Sequence, residues 1–512
     1  MNSWTDGYVS EIDYTFGYYG DLNPLRIAMP LLNIGLAPPD IATACELGFG
    51  QGITVNIHAA ASSVRWYGTD FNPTHAAFAQ SLAAAAGSGA QLFDQSFAEF
   101  CSRPDLPDFD FIALHGIYSW ISEDNQRVIV DFIRRKLKAG GVLYISHNTQ
   151  PGFAVVLPLQ HLLARHAEIM GAPGQGILTR LDAALEFVEK LLALNPAFAT
   201  VNPTIIERLR LIKGQNRQYV AHEYLNRHWH AMQFAEMAEH LAPAKLTYAC
   251  SANYLDHIAA LNVTADHHKF LGEIPDPIFR ESVRDFIVNQ QFRRDYWVKG
   301  ARRLSALEQT EALRRLRIIL TASPRSAVSF TVQGAVGQRE LAPGAYNPIL
   351  DTLDGHQPRT IGEIEQALSG TDMRLPAIYE AIMVLAGKGD LVAVQDEEAQ
   401  ASARLHTDRY NLRMFDRSRG GGELTVLASP VTGGGVMVSR FHQLFLLARL
   451  RGRESADELA GFAWDLLAAQ DQRMVKDGKP LETPEEHLAE LARQAREFID
   501  QSLTVLRALQ IA

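Results

Sequence analysis

The densest chemical signal in the chain is the run ELGFGQG at 46–52, in which Glu46 precedes Gly48, Gly50 and Gly52, with Phe49 between the first two glycines. Glycine allows close approach of a ligand or a neighbouring backbone and adopts left-handed turns at little cost. Dinucleotide folds space their glycines G-x-G-x-x-G so that a helix N-terminus meets a pyrophosphate. Here the spacing is G-x-G-x-G, and a carboxylate stands two residues ahead of it. That arrangement suits a ligand that lacks phosphate and carries an ammonium and a sulfonium, which is the charge pattern of S-adenosylmethionine.

Further polar residues recur at regular intervals. Asp70, with Phe71 and Asn72 behind it, can accept both hydrogen bonds of a ribose diol, a feature that nicotinamide cofactors share. Asp94, Gln95, Ser96 and Phe97 offer a carboxylate or amide to an adenine amino group and a ring to its face. His115, Gly116, Ile117 and Tyr118 stand where the reactive end of such a ligand would face an acceptor.

These residues need a frame that brings them together. Apolar runs at 41–49, 64–71, 90–96, 109–116 and 140–148 read as five strands, and 72–86 and 124–138 read as helices between them. The alternation predicts a parallel, doubly wound sheet with its ligand at the carboxyl ends of the strands, where every candidate above falls. From 153 to about 221 the pattern is helical, broken by the Gly/Pro-rich 171–176. A helix-like stretch at 224–243, a strand at 245–254 and a further strand within 295–304 then follow. They are expected to complete the first sheet, which makes 153–222 an insertion; the alternative is a separate helical domain over 153–320. Beyond Leu320, YNPILDTL, TIGEIEQAL (with Thr360 as N-cap), LPAIYEAIMVLAGKG and DLVAVQ follow in an order that resembles a winged helix. Gly-rich turns at 420–422 and 433–435 precede helices near 438–451, 455–470 and 484–509.

Together with ELGFGQG, the stretches GTDFNP (68–73), LHGIYSWIS (114–122), HEYLNRHWHAMQFAEMAEHL (222–241), VRDFIVNQQFRRDYWVKG (283–300) and SPVTGGGV (429–436) resemble one family across nearly the whole chain. It is the class I S-adenosylmethionine-dependent methyltransferases that carry a methyltransferase regulatory domain, among them the rickettsial-type protein lysine methyltransferases. The resemblance implies an α/β fold with a Rossmann-like methyltransferase sheet (1–153 and 223–304) and a helical dimerisation insertion (154–222). It also implies a winged-helix-like middle domain (305–409) and a mostly helical C-terminal domain (410–512). S-adenosylmethionine as cofactor, S-adenosylhomocysteine as product, a protein lysine as acceptor and a homodimer follow from the same resemblance.

An aromatic, apolar pocket lowers an amine's pKa by desolvation, and ring faces can hold a cation. The candidates for the acceptor side are Tyr14, Phe16, Tyr18 and Tyr19 before the first strand, Tyr118 and Trp120 after the fourth, and Asn148 after the fifth. Residues 15–24 would form a lid ended by Asn23 and Pro24. After the fifth strand the family pattern approximates S-Y-N-x-x-P-G-W, whereas this chain reads SHNTQPGF: His147 and Phe153 replace the aromatic pair, and Asn148, Pro151 and Gly152 are kept. Two rival readings stand beside a protein methyltransferase: an enzyme for a small metabolite, and a cofactor-binding interaction protein that no longer transfers a methyl group.

Composition narrows the field. With 512 residues, 47% apolar and 21% charged, the chain has material for three or four cores, which excludes wholesale disorder and a disulfide scaffold. A net charge of -10 argues against a general nucleic-acid binder. Three cysteines without CxxC spacing, no long apolar run and an acidic, aromatic start predict a cytoplasmic protein with no membrane anchor. His222, His228, His230 and His240 lack metal-ligand spacing, so no metal is expected. The basic run Arg293, Arg294, Lys299, Arg302 and Arg303 either docks an acidic partner or pairs within the domain with residues such as Asp285 and Asp295.

Overall fold

In a computed structural model, residues 3–12, 14–172 and 174–512 are described. Seven strands form one sheet: β1 Thr43–Leu47, β2 Arg65–Asp70, β3 Gln91–Asp94, β4 Phe109–Leu114, β5 Leu137–Asn148, β6 Leu246–Ser251 and β7 Phe292–Lys299. The order is β3-β2-β1-β4-β5-β7-β6. β1 to β5 pair in parallel, and β7 runs antiparallel between β5 and β6. The strand order reverses between β1 and β4, where an open α/β sheet leaves a crevice at its carboxyl edge. The last strand starts at Phe292 and stops at Gly300, whose φ of +74° breaks the extended run, so it does not reach 304.

Both faces of the sheet are covered, and the strands are accordingly apolar on both. Ile112, Leu114, Leu143 and Ile145 pack against the helices Glu123–Lys136 and Phe234–Leu241. Phe111, Ala113, Val142 and Tyr144 pack on the opposite face with residues of Ile53–Ala61 and Pro73–Ala86. The helix Ile53–Ala61 is buried along its whole length. Its far side is covered by the C-terminal region, where Ile53, Ile57, Ala60 and Ala61 share a core with Met414, Leu427 and Phe445.

Between β5 and β6 the helices Leu157–Ile169, Ile177–Ala193, Thr204–Lys213 and Arg217–Tyr224 build a core of their own around Leu163, Leu181, Val188 and Ile205. The stretch 224–243 is not one helix. Arg217–Tyr224 ends, an extended segment follows, and Phe234–Leu241 begins only after Gln233. The extended segment lacks an apolar helical face and makes sheet-like contact instead: Met232 bridges Thr149, and the Trp229 ring stacks on Trp120 at 5.6 Å.

In the middle region Arg317–Leu320 lies between the short strands Arg359–Thr360 and Leu391–Ala393. The helix Leu375–Lys388 is mostly buried, and Tyr379 Oη donates to the Met29 carbonyl at 2.5 Å. Leu391–Ala393 then passes directly into the helix Glu397–Ser418. That helix runs straight through the division expected between 409 and 410, because no glycine or proline interrupts it before Gly420.

Most of the basic run is paired inside the chain. Buried Arg293 meets Asp285 at 2.6 Å, Asp295 at 2.7 Å and Glu281 at 2.9 Å. Arg294 meets Asp21 at 2.7 Å, and Lys299 donates to the carbonyls of Arg134 and Leu137. Cys45, Cys101 and Cys250 are buried free thiols, and no described helix is long and apolar enough to cross a membrane. Removing one partner of a buried ion cluster leaves the others uncompensated. Arg293→Met is therefore expected to cost about 3–5 kcal/mol in denaturant unfolding; a variant as stable as the parent would show that the cluster does not hold β7 in place.

Candidate functional site

The three glycines after β1 each answer a different need. Gly48, Gly50 and Gly52 all have left-handed backbone, with φ of +74°, +57° and +70°. A Cβ on Gly48 would lie 2.7 Å from the Ile117 side chain, and one on Gly52 would lie 2.4 Å from Ala79 Cβ, whereas one on Gly50 would meet nothing within 4 Å. Gly48 thus seats the loop against the turn after β4, Gly52 seats helix on helix, and Gly50 leaves open space above the loop. Asp70 at the end of β2 holds this turn. Its Oδ2 accepts the Gly50 N–H at 2.8 Å and its Oδ1 the Asn72 N–H at 3.0 Å, with His75 Nδ1 3.4 Å away.

Above the loop opens a cavity of about 820 Å³. Its walls contain Glu46, Gly48, Phe49, Gly50, Asp70, Phe71, Gln95, Ser96, Phe97, His115, Gly116, Ile117, Trp120 and Asn148, together with Tyr14 and Tyr19. Six other expected residues stand elsewhere. Gly52 packs helices, and Asn72 caps one by accepting the Thr74 N–H at 3.0 Å. Asp94 is exposed at the end of the edge strand β3, outside the cavity wall. Tyr118 is fully buried with its hydroxyl 3.3 Å from His240 Nδ1, because the tight turn Tyr118–Trp120 sends Trp120 to the cavity and Tyr118 away from it. Phe16 packs on Phe78 at 5.4 Å. Tyr18, which alternates with Tyr19 along an extended segment, accepts the Gly435 N–H at 2.7 Å and lies 3.1 Å from His58 Nε2.

One wall of the cavity was not legible in the sequence. It consists of Trp4 and Tyr8 near the N-terminus, Tyr219, His222 and Glu223 on the last insertion helix, and Phe292 at the start of β7. The rings of Trp4 and Tyr8 each lie 5.6 Å from Phe71, and Tyr14 lies 5.0 Å from His222. The available signal was the spacing of Tyr219, His222 and Glu223, which puts three functional side chains on one helical face of the HEY-containing motif.

Burial perturbs the titratable groups of the cavity wall. Glu46 is only 3% exposed, its Oε2 has no hydrogen-bond partner among the described residues, and burial, followed by the nearby Asp70 charge, pushes its carboxyl up to about 8. Asn148 Nδ2 is likewise buried without a partner. Buried polar groups in folded proteins are nearly always satisfied, so exceptions lining one cavity mark a place for a ligand. In the same wall, burial depresses His115 to about 4, leaving a neutral imidazole whose Nδ1 lies 2.8 Å from Tyr144 Oη. The Tyr19 ring stacks on it at 3.9 Å, and burial raises the hydroxyls of Tyr14 and Tyr19, with Glu223, itself pushed up to about 7 by burial, acting on both.

Comparisons with known proteins agree with this geometry. One family model, a methyltransferase domain, matches residues 45–145, and another, a predicted methyltransferase regulatory domain, matches 216–299. The second covers the insertion helix that walls the cavity and both strands that complete the sheet. The protein sll1526 of Synechocystis sp. (strain ATCC 27184 / PCC 6803 / Kazusa) is 38% identical over all of both chains. A protein of Rickettsia prowazekii (strain Madrid E) is 23% identical over 61% of this chain and 56% of its own. In fold, the chain is similar to PKMT2 from Rickettsia typhi in complex with AdoHcy, with a TM-score of 0.68 at 16% identity over 97% of this chain and 100% of that one.

The Glu46 carboxyl ionises near pH 8 when folded and near its ordinary 4.5 when unfolded. A raised folded value means that the stability it contributes is present below the unfolded value and lost as pH rises through the folded one. Glu46→Gln is therefore expected to raise the melting temperature of the free protein in mildly alkaline buffer and to flatten its decline with pH in scanning calorimetry. A variant that melts lower than the parent there would mean that Glu46 has a stabilising partner.

Proposed function

The chain belongs to the class I S-adenosylmethionine-dependent methyltransferases that carry a methyltransferase regulatory domain, and from that premise we propose that it N-methylates lysine side chains of a protein substrate. The observation that carries the reading is one cavity that holds both the Glu46 carboxyl, whose Oε2 has no partner among the described residues, and the Tyr19–His115 stack. The motif resemblance to rickettsial-type protein lysine methyltransferases supports lysine as the acceptor.

The residues present fit S-adenosylmethionine. Glu46 would face its ammonium, and Asp70, its oxygens already oriented by Gly50 and Asn72, would accept from the ribose hydroxyls. Gln95 and Ser96 would meet the adenine edge, with Phe71 and Phe97 against its faces. When bound, the cofactor supplies an electrophilic methyl group on a sulfonium. The chain's own work is placement and desolvation. Tyr19 and His115 offer uncharged surroundings in which an amine loses its proton more easily and keeps its lone pair free. The fixed stack sets the direction of the amine's approach.

We further read the chain as a homodimer joined through its insertion, and its reduced thiols suit the cytoplasm. Leu162, Ile169, Met170, Leu194, Val201 and Ile206 are exposed apolar side chains in that one region, which a partner subunit would cover. Light scattering is expected to give a dimer mass, and Leu194→Glu combined with Val201→Glu to give a monomer; a monomeric parent would refute this assembly.

Methyl-tritiated S-adenosylmethionine added with the purified protein to a cell extract is expected to label a protein band, with methylated lysine recovered on hydrolysis. Label confined to small molecules would favour a metabolite acceptor. Asp70→Ala is expected to weaken S-adenosylhomocysteine binding at least about tenfold, or 1.4 kcal/mol, in titration calorimetry; unchanged affinity would remove Asp70 from the site.

A further inference from the structure

Next to the first cavity lies a second, more open one of about 490 Å³ that nothing in the cofactor reading uses. It shares Tyr19, His115 and Phe292 with the first and adds Tyr18, Gly20, Asp21, Arg26 and Arg294. The shared wall is held from several sides. Tyr19 stacks on His115 at 3.9 Å, Phe292 meets His115 edge-on at 5.9 Å, and Tyr144 Oη anchors the imidazole at 2.8 Å.

The outer rim is charged. Asp21 lies 2.7 Å from Arg294 and 3.4 Å from Arg26, so one carboxylate stands between two guanidiniums and the mouth keeps a net positive charge. Such a mouth attracts an anion and disfavours a protonated amine in the space behind it.

The remaining wall is fixed from the C-terminal region. Gly435 N–H donates to Tyr18 Oη at 2.7 Å, and Asn23 Nδ2 donates to the Thr432 carbonyl at 2.9 Å. A Cβ on Gly434 would lie 2.6 Å from Asn23 Nδ2 and 2.7 Å from Tyr18 Oη. The Gly433–Gly435 turn is thus what lets residues 18–23 sit close enough to bound the cavity.

We propose that this second cavity is the entrance for the methyl acceptor, a polypeptide whose amine-bearing side chain reaches the Tyr19–His115–Phe292 wall while an acidic neighbour in the same polypeptide meets Arg26 and Arg294. The proposal rests on the methyl-transfer reading above. It assigns Tyr18, Asn23 and Gly434 the role of positioning residues.

Gly20 allows a direct test. It lines the entrance but not the cofactor cavity, its backbone is not left-handed, and an added Cβ would have only Tyr18 Cε1 near it, at 3.6 Å. In the series Gly20→Ala, Gly20→Leu and Gly20→Phe, methyl transfer into the labelled extract protein is expected to fall as the side chain grows, by at least about tenfold for Phe. S-adenosylhomocysteine affinity by calorimetry is expected to stay within about twofold throughout. Arg294→Gln is expected to raise the acceptor KM far more than it lowers kcat, with Arg294→Lys restoring most of the loss. Transfer by Gly20→Phe at the parent rate overturns the entrance alone, as does a loss of cofactor affinity in step with transfer. A parent chain that binds S-adenosylhomocysteine yet labels nothing overturns the methyl-transfer reading, and the entrance with it.

Discussion

A carboxyl group buried without a cation organises this molecule. Glu46 sits at the end of an inner strand, between neighbours that are themselves buried, and its Oε2 has no partner among the described residues. Desolvation makes the ionised form costly there, and the Asp70 charge adds to the cost. An apolar residue at this position would make a more stable strand, so the carboxyl is explained by what it receives from outside. The loop that follows serves the same end: Gly48 and Gly52 hold it tight against Ile117 and Ala79, while Gly50 stays open above it.

The rest of the chain can be understood as closing a cavity around that charge. A bare seven-stranded sheet would leave its carboxyl edge open to water. The N-terminal segment crosses this edge with Trp4, Tyr8, Tyr14 and Tyr19, and the insertion returns Tyr219, His222 and Glu223 to the same space. The regulatory segment is therefore structural and functional at once, since it supplies part of the wall and the two strands that finish the sheet. The C-terminal region covers the helix after the glycine loop and, through Gly435 and Thr432, holds Tyr18 and Asn23. The segment that carries Tyr18 and Tyr19 thus depends on a contact between residues 417 positions apart in the chain.

Much of this was legible in the sequence, for identifiable reasons. The strands of a sheet covered on both faces read as apolar runs, and polar residues at the ends of those runs stood out as Glu46, Asp70, Gln95, His115 and Asn148. Spacing alone could not separate a glycine that admits a ligand from one that admits a helix, hence Gly52; nor could it show that Asn72 caps a helix. Of Tyr118 and Trp120, both expected on the acceptor side, only Trp120 lines the cavity, because a tight turn decides which of two nearby rings faces it. Tyr18 is explained by a glycine turn some 417 positions away, a contact no local pattern records. The insertion's share of the wall stayed hidden because polar residues on a helix ordinarily face water.

The central claim is that Glu46 is held protonated in the free protein and surrenders its proton when the ammonium group of a ligand arrives beside it. Titration calorimetry with S-adenosylhomocysteine near neutral pH, in two buffers of very different ionisation enthalpy, measures this directly. Release of about one proton per ligand bound is the expected result. Binding whose enthalpy does not change with the buffer would contradict the account.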